Sequence, residues 1–320
     1  VDEEKKDIVE LLKIVKNRLG FIYYKVENPR SVYSIFESLN SRGLPVDWLD
    51  KCKSMLMGLI FDNDSSGNTQ VHISEVNKIW SEIYEVIGIK DIPGHEILRF
   101  CSTLHHPDQL SRTLGAEDAL EYLREYCNDK KKTYQKVTDV SNFMLTIAQT
   151  LKKLYDNPRL EAVTDISHAR LLALSIYLND TTTAAEKKKL LEQWEITTFR
   201  IFGMFRKDSR YKVGDYTRLA NRIVDKNEFN KTGKKPYKEI LEAIKELSEE
   251  YNVSQALKEM KGSDVYTDNQ TKLRYFLYRY EESLWDKAKP DQGLWVKIWN
   301  ASASKTIEHI FPQTPEGNWN

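Results

Sequence analysis

Along most of the chain, apolar residues recur every three or four positions, and short polar stretches separate the apolar groups. This spacing predicts amphipathic α-helices, because it places the apolar side chains on one face of each helix. The polar stretches carry the residues that start and stop helices, such as Asp47 before Trp48 and Gly20 after Leu19. We predict helices over 3–19, 71–86, 93–104, 115–127, 137–156, 192–205 and 236–251, one after Asp47, and one lined by Leu273, Phe276, Leu277, Tyr280 and Leu284.

Two short segments differ from this pattern and predict strands instead. Phe21–Val26 is an apolar and aromatic run, and 306–315 is an apolar run closed by prolines. Leu171–Leu178 is apolar on nearly every side, which indicates a helix buried within a bundle. The expected fold class is therefore mainly α, a multi-helix connector with small β elements near both ends.

Composition narrows the functional classes. The chain of 320 residues carries 48 basic and 48 acidic residues, so any contact with nucleic acid must come from a local patch. The three cysteines form no paired motif, which argues against a disulfide framework or a zinc knuckle. No apolar run approaches the ~20 residues that span a bilayer, and we expect a cytoplasmic protein without membrane contact. The chain begins at Val1 without a Met, and we expect a piece of a longer protein.

The strongest candidate chemistry lies in Thr306–Pro315, where Glu308 and His309 are adjacent. A neutral imidazole can take a proton from water near neutral pH, which suits a general base. The spacing alone favours a strand that turns Ile307, His309 and Phe311 toward a core and leaves Glu308 in solvent.

The hexapeptide Glu308–Gln313 resembles the start of the HNH (His-Me finger) nuclease module of GmrSD-type modification-dependent restriction endonucleases. The resemblance implies that His309 is the general base and that Glu308 is a ligand of Mg²⁺ or another divalent cation. It also implies a third active-site residue beyond Asn320. The segment Arg274–Glu281 resembles the helix that precedes the nuclease strand in the same family.

A second motif, Phe36–Val46, resembles the end of the ParB/sulfiredoxin-like module of that family. The resemblance implies nucleoside triphosphate binding, with Asn40, Arg42 and Gly43 as the candidate nucleotide-binding residues. Without the resemblance, these three residues are an ordinary helix end followed by an exposed loop side chain.

The best local basic patch follows the apolar segment 192–205 and has tyrosines between its charges. Its candidate DNA-binding residues are Arg206, Lys207, Arg210, Lys212, Arg218 and Arg222. Arg218 and Arg222 are one helical turn apart, so the patch could grip backbone phosphates. In isolation, the same charges are also typical of a solvated helix end. We interpret Lys130–Lys132, Lys187–Lys189 and Lys231–Lys235 as solvated charges, and His105–His106 as loop or core residues rather than metal ligands.

Together, the two resemblances imply a modification-dependent DNA endonuclease acting on modified phage DNA. The expected domains are a ParB-like nucleotide module (1–70), a helical connector (71–262) and the start of an HNH module (263–320). The expected partners are DNA and a nucleotide, and a homodimer is left open. The alternatives are a non-catalytic module that senses DNA or nucleotide and a purely structural helical scaffold.

Overall fold

The computed structural model describes residues 2–18, 20, 47–90, 92–157, 163, 165–225, 236–261, 270–284 and 297. The chain divides into two compact units, Val1–Pro45 and Val46–Asn320. Every regular element within the described ranges is helical, which confirms the mainly α class. The expected strands at 21–26 and 306–315 lie outside those ranges. None of the described helices has the length and apolar character needed to cross a membrane.

The first unit contains helix α1, Asp2–Arg18, where the sequence predicts a helix over 3–19. Its apolar side chains at Ile8, Leu11, Leu12 and Val15 are exposed.

The second unit contains eleven further α-helices among its described residues, and a π-helical segment follows one of them directly. The helices are α2 (Trp48–Asn63), α3 (Thr69–Lys90), α4 (Gly94–His105), α5 (Ala116–Cys127), α6 (Thr133–Tyr155), α7 (Ser167–Leu178), α8 (Ala184–Thr198), α9 (Val213–Val224), α10 (Pro236–Glu246), α11 (Val253–Lys261) and α12 (Gln270–Leu284), and the π-helical segment after α8 is Phe199–Met204.

Helices α2 to α6 form one bundle, in which α2 contacts each of the other four. Asp47 caps α2 as the sequence predicts, and its Oδ1 accepts a 2.8 Å hydrogen bond from the backbone N–H of Leu49. Helices α3 and α6 pack along each other, and the fully buried Trp80 of α3 donates from Nε1 to Ser141 Oγ at 3.1 Å. This bond satisfies the one polar group of a large apolar side chain in the core.

The three cysteines, Cys52, Cys101 and Cys127, are buried in this bundle. All three are free thiols in the structure. Burial raises the pKa of each thiol, since the thiolate would lose its hydration there.

Helices α7 to α11 form the second part of the core. Helix α7, predicted to be buried, has eight buried residues and packs along α9. Trp194 of α8 donates from Nε1 to the carbonyl of Ala169 at 2.9 Å, and Asn179 donates from Nδ2 to the carbonyl of Ile223 at 2.7 Å. These hydrogen bonds fix α8 and α9 against α7.

A buried ion pair connects the two parts. Glu96 of α4 is 3% exposed, and its Oε1 lies 2.5 Å from Nη2 of Arg170 on α7. The same carboxylate oxygen accepts a 3.1 Å hydrogen bond from Ser167 Oγ. Two residues at the start of α7, Ser167 and Arg170, therefore hold this helix at α4, and Arg170 supplies the positive charge.

The helix predicted over 192–205 begins earlier, at Ala184, because a capping box starts it. The backbone N–H of Glu186 donates to Thr183 Oγ1 at 3.3 Å, and the backbone N–H of Thr183 donates to Glu186 Oε2 at 2.9 Å. The early start places Lys187 beside α7, where it is half-buried and donates to the carbonyl of Tyr177 at 2.7 Å. The interpretation of Lys187 as a solvated charge is therefore wrong, whereas Lys130–Lys132 are exposed as expected.

The helix lined by Leu273 and its neighbours is confirmed as α12, but its buried face is not the predicted one. Arg274 and Tyr275 are buried, while Leu277, Tyr280 and Leu284 are exposed. The difference arises because the polar side chains of α12 find partners on α8, as described below.

Candidate nucleic-acid interface

The basic patch lies on the loop after the π-helical segment and on the helix α9 that follows. The backbone N–H of Lys207 donates to the carbonyl of Ile201 at 3.2 Å, which closes the helical segment. Arg206 and Lys212 both have positive φ angles, 51° and 54°, an uncommon conformation for residues with a side chain. The loop 206–212 is therefore bounded at each end by a left-handed residue, which turns the chain sharply from one helix into the next.

Lys212 is a structural anchor of this loop. Its side chain is 15% exposed, and its Nζ donates to the carbonyl of Leu247 at 2.8 Å and pairs with Glu250 Oε1 at 2.7 Å. The hydrogen bond from Lys212 is the largest cause of the lowered pKa of Glu250, and a hydrogen bond of 3.1 Å from the Tyr211 hydroxyl adds to it. Among the predicted DNA-binding residues, Lys212 therefore binds the turn that follows α10.

Lys207 stands over two tyrosine rings. Its Nζ lies 5.6 Å from the ring centre of Tyr211 and 5.7 Å from that of Tyr251. These distances fit cation–π contacts, which orient the ammonium group without neutralising it. Lys207 itself is exposed, so its charge faces solvent.

Arg210 and Arg218 are exposed and each has a local acidic partner. Arg210 Nε lies 2.9 Å from Asp208 Oδ1, and Arg218 Nη2 lies 2.6 Å from Asp215 Oδ1. Ion pairs between exposed side chains contribute little, since water screens them. A phosphate could therefore compete with either aspartate for its arginine.

Arg222 occupies a different environment from the exposed residues of the patch. It is half-buried and lines a cleft of about 850 Å³ between α9 and α10, together with Tyr237, Lys238 and Glu242. The structure thus presents Arg206, Lys207, Arg210 and Arg218 to solvent. Lys212 lies against the turn after α10, and Arg222 lies beside α10 itself.

The other predicted site residues lie outside the described residues. They are the catalytic candidate His309, the metal ligand candidate Glu308, and the nucleotide-binding candidates Asn40, Arg42 and Gly43. Within the ranges that the structure does describe, no three His, Cys, Asp or Glu side chains come together as a metal-binding group.

One polar cluster was missed from the sequence. Glu195 of α8 is fully buried; it accepts a hydrogen bond from the Tyr275 hydroxyl, and its Oε1 lies 3.4 Å from Nε of Arg279. The Tyr275 ring also packs on Phe199, with ring centres 4.5 Å apart. The sequence does contain a signal for this cluster, since Glu195 lies within the apolar stretch from Leu190 to Phe205. A carboxylate buried there requires hydrogen-bond or ionic partners.

These features describe a mainly helical protein with an exposed basic loop and a C-terminal helix docked on a buried carboxylate. Residues 252–320 match the family model described as GmrSD restriction endonucleases, C-terminal domain. The match supports the recognition of this segment, made from the C-terminal motif, as part of a GmrSD-type restriction endonuclease, and that recognition is confirmed. The match does not reach the N-terminal motif, whose ParB-like assignment stays a prediction. No curated protein and no solved structure gives a significant match to the chain.

Proposed function

We propose that this protein is a modification-dependent DNA endonuclease that hydrolyses phosphodiester bonds of foreign or modified DNA. The observation that carries the proposal is the family match over 252–320, because this range includes Glu308 and His309. The described part of the same range, α11 and α12, is joined to the helical core through Tyr275 and Arg279. DNA is the substrate that a restriction endonuclease family implies.

In this proposal His309 acts as the general base. A neutral imidazole near its ordinary pKa of ~6.5 takes a proton from water as the water attacks phosphorus. Glu308 offers the carboxylate oxygen that a hard cation such as Mg²⁺ prefers. When bound, the cation would supply stabilisation of the negative charge that develops on the phosphate oxygens.

The DNA backbone would contact the exposed part of the basic loop. Arg206, Lys207, Arg210 and Arg218 are accessible to phosphates, whereas Lys212 holds the loop in place and Arg222 lies beside α10. Because these charges are local in a chain with no net charge, binding should depend on this surface rather than on a general attraction.

We further propose that a nucleoside triphosphate regulates the enzyme through Asn40, Arg42 and Gly43. An arginine beside a helix end can clamp a phosphate with two parallel hydrogen bonds. This proposal includes the three predicted domains, 1–70, 71–262 and 263–320, and a cytoplasmic location.

The experiment is a cleavage assay of the protein from its complete reading frame on modified phage DNA and on unmodified DNA. It is run with and without Mg²⁺ and a nucleoside triphosphate. We expect Mg²⁺-dependent cutting of the modified DNA alone. His309→Ala should lower the rate by at least about a hundredfold, since general base catalysis contributes roughly 10²–10⁴.

The matched control is His95→Ala, because His95 is an exposed histidine outside the proposed site. Cutting that survives in His309→Ala would remove His309 from the mechanism. DNA binding without cutting under any condition would instead favour the non-catalytic sensing module.

A further inference from the structure

A cleft of about 460 Å³ lies between the end of α6, α7 and the first turns of α8. It shares no residue with the basic loop or with the sites proposed above. Its volume is within the roughly 300–1,000 Å³ typical of small-molecule sites. The cleft is therefore large enough for a phosphate group together with part of the molecule that carries it.

Three lysines from two helices converge on this cleft. Lys153 comes from α6, and Lys187 and Lys188 come from α8. Lys153 and Lys188 are exposed, and no carboxylate among the described residues forms an ion pair with either of them. Ammonium groups that converge without such partners repel one another, so a bound anion would be stabilising.

The repulsion between ammonium groups also acts on Lys187. Its Nζ donates to the Tyr177 carbonyl at 2.7 Å, which holds the charge in the cleft wall. Burial lowers the pKa of Lys187, and the charge of Lys153 acts in the same direction, while Asp180 opposes both. An oxyanion beside Lys187 would restore the charged form that burial disfavours.

Two carboxylates also line the cleft, and one of them has its charge compensated. Glu195 accepts from Tyr275 and lies near Arg279, so it faces partners on α12. Glu192 is half-buried on the turn before Glu195. Three ammonium groups therefore face one remaining carboxylate, Glu192, so the net charge left for a ligand is positive.

The remaining wall gives the cleft an apolar side. Tyr177, Leu191 and Ala184 line it next to the lysines. A ligand with a charged oxyanion and a flat or apolar body would match both sides. Phosphorylated molecules such as nucleotides, free or within a strand, have this character.

We propose that this cleft is a phosphate-binding site in which Lys153 and Lys188 contact the oxyanion. The hydrogen bond to the Tyr177 carbonyl positions the Lys187 ammonium group beside it. The phosphate comes from one of two sources, the backbone of DNA or the phosphate chain of a free nucleoside triphosphate. Because Glu195 forms part of the cleft and also binds α12, an occupied site lies next to the contact that docks the C-terminal segment.

The test uses the double variant Lys153→Glu/Lys188→Glu, since both side chains are exposed and their replacement should leave the fold intact. The matched control, Lys130→Glu/Lys131→Glu, changes the net charge equally at exposed lysines outside the cleft. Binding of a fluorescent 20-base-pair duplex is measured by anisotropy, and binding of ATP by calorimetry. Circular dichroism and melting curves establish that each variant is folded.

We expect the cleft variant to bind at least one of the two probes about tenfold more weakly, while the control binds both as the wild type does. Weaker binding of the duplex alone assigns the site to the DNA backbone, and weaker binding of ATP alone assigns it to a free nucleotide. Wild-type affinity of the cleft variant for both probes would overturn the proposal, as would equal loss in the control or failure of the wild type to bind either probe.

These outcomes are independent of catalysis. The same binding measurements on His309→Ala should give wild-type values even where cutting is abolished. A failed cleavage assay would therefore not affect the phosphate site, and wild-type binding of both probes by the cleft variant would leave the nuclease proposal standing.

Discussion

The hydroxyl of Tyr275 donates a hydrogen bond to the carboxylate of Glu195, and Glu195 is fully buried. Tyr275 lies on α12, inside the segment that matches the restriction endonuclease family, whereas Glu195 lies on α8 in the helical core. Arg279 approaches the same carboxylate from the next turn of α12. The docking of α12 thus uses polar contacts with one buried acid and the ring contact of Tyr275 with Phe199, whereas Leu277 and Leu284 of that helix are exposed.

Replacing Tyr275 by Phe should destabilise the protein while leaving the ring contact with Phe199 in place. Hydrogen bonds to charged groups contribute about 1.5–3 kcal/mol, and we expect a loss of that size in the free energy of unfolding measured with urea. Tyr280→Phe is the control, because Tyr280 is 57% exposed on the same helix. Equal stability of Tyr275→Phe and wild type would show that Arg279 alone satisfies Glu195.

The ion pair of Glu96 and Arg170 offers a second test of how the core is held together. Arg170→Ala leaves a carboxylate that is 3% exposed without its positive partner, so unfolding should become easier by roughly 3–5 kcal/mol. The double variant Glu96→Gln/Arg170→Met should recover much of this loss, because it removes both charges at similar volume. A double variant as unstable as Arg170→Ala would mean that the guanidinium acts through packing.

Local signals explain which parts of the fold were predictable from the sequence. Asp47 and Pro93 mark helix starts by chemistry within a few residues, and both starts are found where the sequence places them. The contact of Glu195 with Tyr275 joins residues 80 positions apart, and no local pattern encodes it. The apolar spacing on α12 accordingly predicted its helix and misidentified its buried face.

For the candidate site, the sequence predicted the location of the basic loop but not the contacts of each of its residues. Residue type and spacing located the basic loop, and Lys207, Arg210 and Arg218 are exposed as a phosphate-binding surface requires. The sequence could not show that Lys212 is bound to the turn after α10, since that contact depends on the path of the chain. His309, Glu308 and the residues at 40–43 stay predictions from resemblance, although the family match includes the first two.

Stability should fall between pH 7 and pH 5 partly through His168. This histidine is 4% exposed, its Nε2 has no hydrogen-bond partner, and burial lowers its pKa to about 4. The unfolded chain binds the proton near pH 6.5, so protonation favours unfolding as the pH drops toward 4, by at most roughly 3 kcal/mol. This stability is fully present above the unfolded pKa and is lost in the acid range.

The measurement is the urea midpoint at pH 7 and pH 5 for wild type and His168→Asn. We expect a smaller difference between the two pH values in the variant, because it lacks the group that titrates. The lowered pKa of His105 contributes equally to both proteins, and that of Asp64, about 2, lies below the range. An unchanged pH difference in His168→Asn would exclude His168 as the source.

Residues of the basic patch should have two different roles: Arg210 and Arg218 bind DNA, whereas Lys212 maintains the fold. Arg210→Glu/Arg218→Glu should weaken DNA binding and lower the salt dependence by about one to two units of slope, with an unchanged melting temperature. Lys212→Met should leave DNA binding unchanged and lower the melting temperature. It removes the 2.8 Å hydrogen bond to the Leu247 carbonyl, which should cost about 1–3 kcal/mol in the free energy of unfolding. Both properties are measured for each variant, with Lys130→Glu/Lys131→Glu as the charge control. A Lys212→Met variant of wild-type stability, or an arginine variant that binds DNA normally, would contradict this division.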